Sequence, residues 1–261
     1  MKKAIYQFLI MVAAFLLTWF LFSKINYTGH MELDEFSEEQ EKKLGELLLE
    51  GLSAGKDEIK HDSINHIINN IFDKIISSNK IEKGKIKVRV FDDETVNAFA
   101  LPGDQLVIFT GLINYCKTPE ELAGVMAHEI AHIQKDHVMK KLIKEVGVAM
   151  LFVIVAGNGS FEIISEVLKT ITSLAFDREQ ETVADIYAIS LLGEAKINPS
   201  GLSEFLFRLS QEPDDFSDEL LIISTHPGSA DRSVTILEEI KKNPSKYQEL
   251  HYDFWENRAK N

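Results

Sequence analysis

The chain has 261 residues, 45% of them hydrophobic and 26% charged, with a formal net charge of -13; such proportions suit one sizeable globular domain with an appendage and exclude a disordered polymer. The acidic excess would repel phosphates, so no nucleic-acid partner is expected. A single cysteine, Cys116, excludes an intrachain disulfide framework and a cysteine-based metal site.

Residues 4–22 form a nearly unbroken apolar run, interrupted only by Gln7 and Thr18 and preceded by Lys2 and Lys3. The run is long enough to span a bilayer, and Trp19 to Phe22 offer no small-residue cleavage site, so an uncleaved transmembrane anchor is expected rather than a removed signal. The leading lysines place the N-terminus in the cytoplasm and the rest of the chain on the extracytoplasmic, periplasmic side. The expected organisation is an anchor over residues 1–23, a juxtamembrane linker and short helix over 24–56, and a main domain over 57–261.

After the linker, Ser37 and Gln40 read as a capping box that opens a short helix reaching Gly51. Apolar residues at helical spacing, from Ile64 to Ile76, predict a second helix over residues 57–78. Three strands follow, over 85–90, 95–101 and 105–110, and Pro102-Gly103 fits the centre of a type II turn joining the last two as a hairpin. Thr118, Pro119 and Glu121 then supply an N-cap, a first-turn proline and a capping glutamate for the next helix.

That helix carries His128-Glu129-Ile130-Ala131-His132, an HExxH pattern. On a helix the two histidines differ by about 40° in azimuth and about 6 Å in height, so both imidazoles reach one ion. Glu129 falls roughly 60° further round, off the metal but able to take a proton from water beside it, the arrangement of a zinc hydrolase base. Zn2+, one per chain, is the expected cofactor, because imidazole and carboxylate ligands with one open position suit it.

Two histidines need a third protein ligand. The apolar stretch over residues 146–157 is too short to span a membrane and reads as a buried helix; glycines at 157 and 159 break it, and two helical arms folded there return the chain to the metal. On the returning segment, Glu181 and Asp185 share a face with Ala184, Ala188 and Leu192. Two acids on an otherwise apolar stripe need partners, and Glu181 as ligand with Asp185 orienting a ligand histidine satisfies both. Asp177, one turn earlier, is the nearest rival, and salt-bridged surface acids are the simpler alternative. His137 lies about 180° from His128 if the helix continues, and the alternative zinc spacing HExxHxxGxxH would put its glycine and last histidine where Lys135 and Val138 stand, so His137 reads as structural.

With these parts in order, Asn97 to Gly103, the HExxH with His137 behind it, Glu181 and Asp185 as ExxxD, and Thr225-His226-Pro227 followed by Arg232, residues 57–240 resemble metallopeptidase family 48, the gluzincin group of HtpX-type heat-shock proteases and prenyl-protein endopeptidases. The resemblance implies an α+β, mainly helical zincin-like metalloprotease domain with a small sheet and an edge hairpin. It implies that His128, His132 and Glu181 bind zinc and that Glu129 is the catalytic base and acid. His226 looks like the family's additional active-site histidine, able to steady an oxyanion or to approach the metal and block it, and Arg232 shapes the same wall. The hairpin beginning at Asn97, Ala98 and Phe99 would supply an edge strand for an extended peptide. The implied function is a membrane-anchored zinc endopeptidase acting on extracytoplasmic proteins in envelope quality control, with protein or peptide substrates and the membrane as partners; a zinc-stabilised chaperone or binding module with a closed site is the alternative.

Overall fold

The computed structural model describes residues 11–12, 36–60, 63–173, 175–212, 220–242, 244 and 246–258. Two compact units are present, residues 1–36 and residues 37–261. The expected anchor lies, apart from Met11 and Val12, outside the described residues, among which no helix is long and apolar enough to cross a membrane.

The second unit begins with helix α1, Glu38–Ser53, whose capping box forms as expected: the Ser37 hydroxyl accepts from the Gln40 amide at 3.2 Å and the Gln40 side chain accepts from the Ser37 amide at 2.9 Å. Such a cap stabilises a helix by about 1 kcal/mol. Leu44 and Leu48 are fully buried, and Glu41 accepts from the Gly103 amide at 3.2 Å. The helix expected to follow a linker is therefore tied to the domain body. Helix α2, Ser63–Ser78, buries Ile68, Ile71, Phe72, Ile75 and Ile76. It starts later than its apolar pattern suggests because Asp57 and Ile59 are held alongside a strand, by backbone bonds to Asp92 and Val90 and by the Glu58–Arg89 ion pair at 2.9 Å.

The sheet has the order β1-β3-β2, with β1 (Lys87–Phe91) parallel to β3 (Gln105–Phe109) and β2 (Ala98–Leu101) antiparallel to it. The β2–β3 hairpin is the one expected at Pro102-Gly103, and Gly103 supplies the left-handed backbone, φ 69°, that such a turn demands. β2 is an edge strand. Its Ala98 and Ala100 amides point away from β3 and find partners elsewhere, the Asn97 side-chain oxygen at 2.9 Å and a Glu129 carboxylate oxygen at 3.0 Å.

Behind the sheet, α3 (Thr110–Tyr115) leads to α4 (Pro119–Gln134), which carries the HExxH and is buried on nearly every side from Leu122 to Ile133. Its N-cap is the expected Thr118, accepting from the Glu121 amide at 3.2 Å. The chain then runs through α5 (His137–Val146), α6 (Val148–Val153), a π turn over Ile154–Asn158 and α7 (Phe161–Ser173). The short apolar stretch is half-sunk rather than wholly buried: Leu151, Ile154 and Val155 face inward while Met150 and Val153 are exposed.

Helix α8 (Arg178–Glu194) packs directly on α4 and presents Glu181, Ala184, Asp185, Ala188 and Leu192 to the interior, the stripe expected from their spacing. Helices α9 (Ser200–Leu209), α10 (Leu221–Thr225) and α11 (Ser229–Lys242) close the far side of α4, and α12 (Asp253–Arg258) follows. The aromatic tail packs through Trp255, whose indole N–H donates to the Cys116 carbonyl at 3.0 Å.

Candidate metal centre

Four buried side chains from three elements meet at one point: His128 and His132 of α4, Glu181 of α8 and His226 just after α10. The α4–α8 packing carries two sides of the cluster. The third arrives because α10 ends at His226, and the segment is pinned where the Phe176 amide donates to the Thr225 carbonyl at 3.1 Å.

The spacings test whether a metal fits. His128 Nε2 lies 3.0 Å from His132 Nε2 and 3.5 Å from Glu181 Oε2, while His132 Nε2 lies 3.4 Å from Glu181 Oε1. His226 Nδ1 stands 3.2 Å from His128 Nε2 and 3.0 Å from Glu181 Oε1. Ligand atoms about 2.05 Å from a tetrahedral zinc would be about 3.3 Å apart, close to every one of these distances. Ring nitrogens aimed at one another from opposite sides also leave too few protons to bridge each pair, whereas a cation between them satisfies all lone pairs. The donor set therefore fits zinc, with His226 at the corner that a catalytic site keeps for water.

Glu129 is oriented by the sheet. One carboxylate oxygen accepts the Ala100 amide; the other has no regular hydrogen bond and faces His226 Nε2 at 3.3 Å. Asp185 sits behind the cluster, with Oδ1 2.9 Å from His128 Nδ1 and both oxygens bonded to the Arg232 guanidinium at 2.8 Å. Arg232 also packs its Nη1 against Glu181 and donates to the His226 carbonyl at 3.3 Å.

The electrostatics follow from these pairings. Burial opposes a charge on His128, but the Asp185 and Glu181 carboxylates outweigh it and raise the imidazole to about 9 in the absence of metal. Burial has the opposite result for His132, which falls well below the ordinary histidine value. For Glu181 and Asp185 burial would raise the carboxyl, yet the facing histidines and Arg232 hold both below the usual carboxylate range. Cationic Arg232 is stabilised in turn, despite burial, by the two acids.

The structure thus brings together His128, Glu129, His132, Glu181, Asp185, His226 and Arg232. Asp177, the rival ligand, is instead the exposed N-cap of α8, paired with Lys144 at 3.2 Å. Asn97, Ala98 and Phe99 adjoin Glu129 through β2 but are buried, 0 to 5% exposed.

His137 stays outside the four-residue cluster and is buried, but the continuous helix on which its direction was argued is interrupted. The HExxH helix ends at Gln134, Asp136 adopts a left-handed backbone at φ 55°, and α5 restarts at His137, which turns that ring back to 3.1 Å from His132 Nδ1. Aspartate tolerates this conformation better than most residues, which is the one local signal of the bend. Sequence reasoning also passed over Phe176, whose ring lies 4.0 Å from that of His132 and 5.4 Å from that of His226, and Lys141, whose ammonium sits 4.3 Å above the Phe176 ring. No motif marks either.

Comparison with known proteins agrees with this geometry. The model of peptidase family M48 matches residues 62–240. The mitochondrial metalloendopeptidase OMA1 of Schizosaccharomyces pombe is 29% identical over 63% of this chain and 50% of its own length, and OMA1 of Arabidopsis thaliana is 31% identical over 56% and 30%. A putative beta-barrel assembly-enhancing protease of Vibrio cholerae is 25% identical over 85% of this chain and 48% of its own. The chain spans half or less of the length of these relatives.

Proposed function

The chain belongs to peptidase family M48, and from that premise we propose that it is a zinc-dependent endopeptidase. The observation that carries the reading is the convergence of His128, His132 and Glu181 on one point at zinc-ligand spacings, with the Glu129 carboxylate beside it. Bound zinc supplies Lewis acidity, which polarises a carbonyl and acidifies water. The remaining work belongs to the chain. Glu129, held through Ala100, takes a proton from water with its free oxygen and returns it to the leaving amine. Asp185 fixes the His128 ring, Arg232 neutralises the two acids, and β2 lies along the line an extended substrate would take.

In the described conformation His226 stands at the fourth corner and faces Glu129, so it must withdraw before water and substrate reach the base. Beside Glu129 the aliphatic side chains of Val125, Leu202, Leu206, Leu209 and Ile222 pack against the site. One relative is named a mitochondrial metalloendopeptidase and another a putative beta-barrel assembly-enhancing protease. Together with the apolar run at residues 4–22, they favour a membrane-anchored enzyme with its domain on the extracytoplasmic side, acting on proteins there in quality control.

The seating of His226 favours a second reading, a zinc-stabilised binding or chaperone module whose site stays closed. Zinc content and casein turnover on the same preparation separate the two. The endopeptidase reading expects about one zinc per chain, turnover in the wild type, and a loss of about 10²–10⁴-fold in Glu129→Gln with zinc retained. One zinc with no turnover, and none after His226→Ala, would establish the module instead.

A further inference from the structure

Each histidine of the HExxH needs something to hold its second ring nitrogen, and the two are served differently. His128 Nδ1 faces the Asp185 carboxylate at 2.9 Å, the partner its spacing predicts. His132 Nδ1 faces another imidazole, His137 Nδ1 at 3.1 Å, with the rings 4.9 Å apart at 72° and both residues buried. Since His132 turns its Nε2 toward Glu181 and His128, that nitrogen must carry a lone pair to bind a metal. The single proton of the neutral ring then sits on Nδ1. Only one proton fits between two nitrogens at this distance, so His137 Nδ1 must be the acceptor and its own proton must lie on Nε2.

We propose that His137 is a positioning residue which, through the Nδ1–Nδ1 hydrogen bond, holds His132 in the tautomer that presents Nε2 to zinc. Phe176 completes the seat, its ring lying 4.0 Å from the imidazole at 34°, so that the ring cannot rotate away from its acceptor. Without that acceptor, the buried Nδ1–H loses its partner, and the ring gains by moving the proton to Nε2, where it blocks the metal. The sequence feature responsible is the left-handed Asp136, because a continuous helix would carry His137 to the opposite face. A neutral acceptor also polarises its donor less than a carboxylate does, which makes His132 the weaker of the two imidazole ligands.

The inference rests on zinc binding at the proposed site, and the test separates the two. Zinc affinity is measured by chelator competition on the full chain in detergent for the wild type, His137→Phe, which keeps bulk and aromaticity without an acceptor, and His137→Asn, which restores an acceptor oxygen. Loss of a partner behind a metal ligand costs about 10–100-fold in affinity; that loss is expected in His137→Phe, with most of it recovered in His137→Asn. Imidazole nitrogen resonances of the zinc-loaded protein should show the His132 proton on Nδ1. Affinity of His137→Phe within twofold of wild type, or a loss equal in both variants that follows the stability of the metal-free protein, would overturn the proposal and leave a packing role. A wild-type chain that binds no zinc would sink the metal site itself and this inference with it.

Discussion

Replacing Asp185 by asparagine perturbs the centre without emptying it. The native carboxylate meets His128 Nδ1 at 2.9 Å and two guanidinium nitrogens of Arg232 at 2.8 Å each, and both Asp185 and Arg232 are more than nine-tenths buried. Oδ1 serves both His128 Nδ1 and Arg232 Nη2 while Oδ2 serves only Arg232 Nε, so asparagine with its oxygen at the Oδ1 position keeps an acceptor for both partners but removes the negative charge and turns an amide N–H on Arg232 Nε. Losing one charge-assisted hydrogen bond at a buried site costs about 1.5–3 kcal/mol. The loss stays below the roughly 3–5 kcal/mol of a fully orphaned buried charge because Arg232 keeps Glu181 and the His226 carbonyl. Urea unfolding with chelator present should show that decrease. Chelator competition should show zinc affinity lower by about 10–100-fold, as expected when the charged carboxylate behind a ligand histidine is replaced by a neutral acceptor. An Asp185→Asn protein with wild-type unfolding midpoint and zinc affinity within threefold would refute the claim that this carboxylate both anchors Arg232 and aims His128.

Two further substitutions probe the frame around the centre. Gly124→Ala would normally strengthen a helix by up to about 1 kcal/mol, but here the added Cβ would lie 2.7–2.8 Å from the Leu202 backbone where α4 and α9 touch. Overpacking of about 1–3 kcal/mol should win, and a neutral or stabilising result in urea melts would show that the two helices can move apart at no cost. Burial depresses the Lys141 ammonium to about 8, despite the nearby Glu129 and Glu181. The cost of carrying that charge is therefore complete below pH 8 and fades toward pH 10.4, where the unfolded chain also loses its proton. Wild-type stability relative to Lys141→Met should rise across that window in the metal-free protein, and a gap identical at pH 7.5 and pH 10 would contradict it.

The parts of this molecule that were legible in the sequence are those in which spacing along one element determines the outcome. Ser37 and Thr118 cap the helices their patterns announce, Pro102-Gly103 turns the hairpin, and Glu181 and Asp185 share an inward stripe because a helix repeats every 3.6 residues. His226 and Arg232 were found through the resemblance to a family, since a histidine before a proline carries no periodicity of its own. What escaped depends on where one element meets another. The direction of the His137 ring escaped because a single left-handed residue resets the helix, and the late start of α2 follows from a strand partner about 30 residues further on. Phe176 and Lys141 look like ordinary aromatic and cationic residues until α5 and the segment before α8 are folded together.

The edge strand β2 has one more consequence. A sheet margin with open donors is a template on which stray strands, including those of other copies, can grow. Here the two outward amides of β2 are already spent, one on the neighbouring Asn97 and one on Glu129. The margin is thus insulated against casual company, and any guest that joins it through Ala100 must first loosen the tether on the carboxylate that does the chemistry.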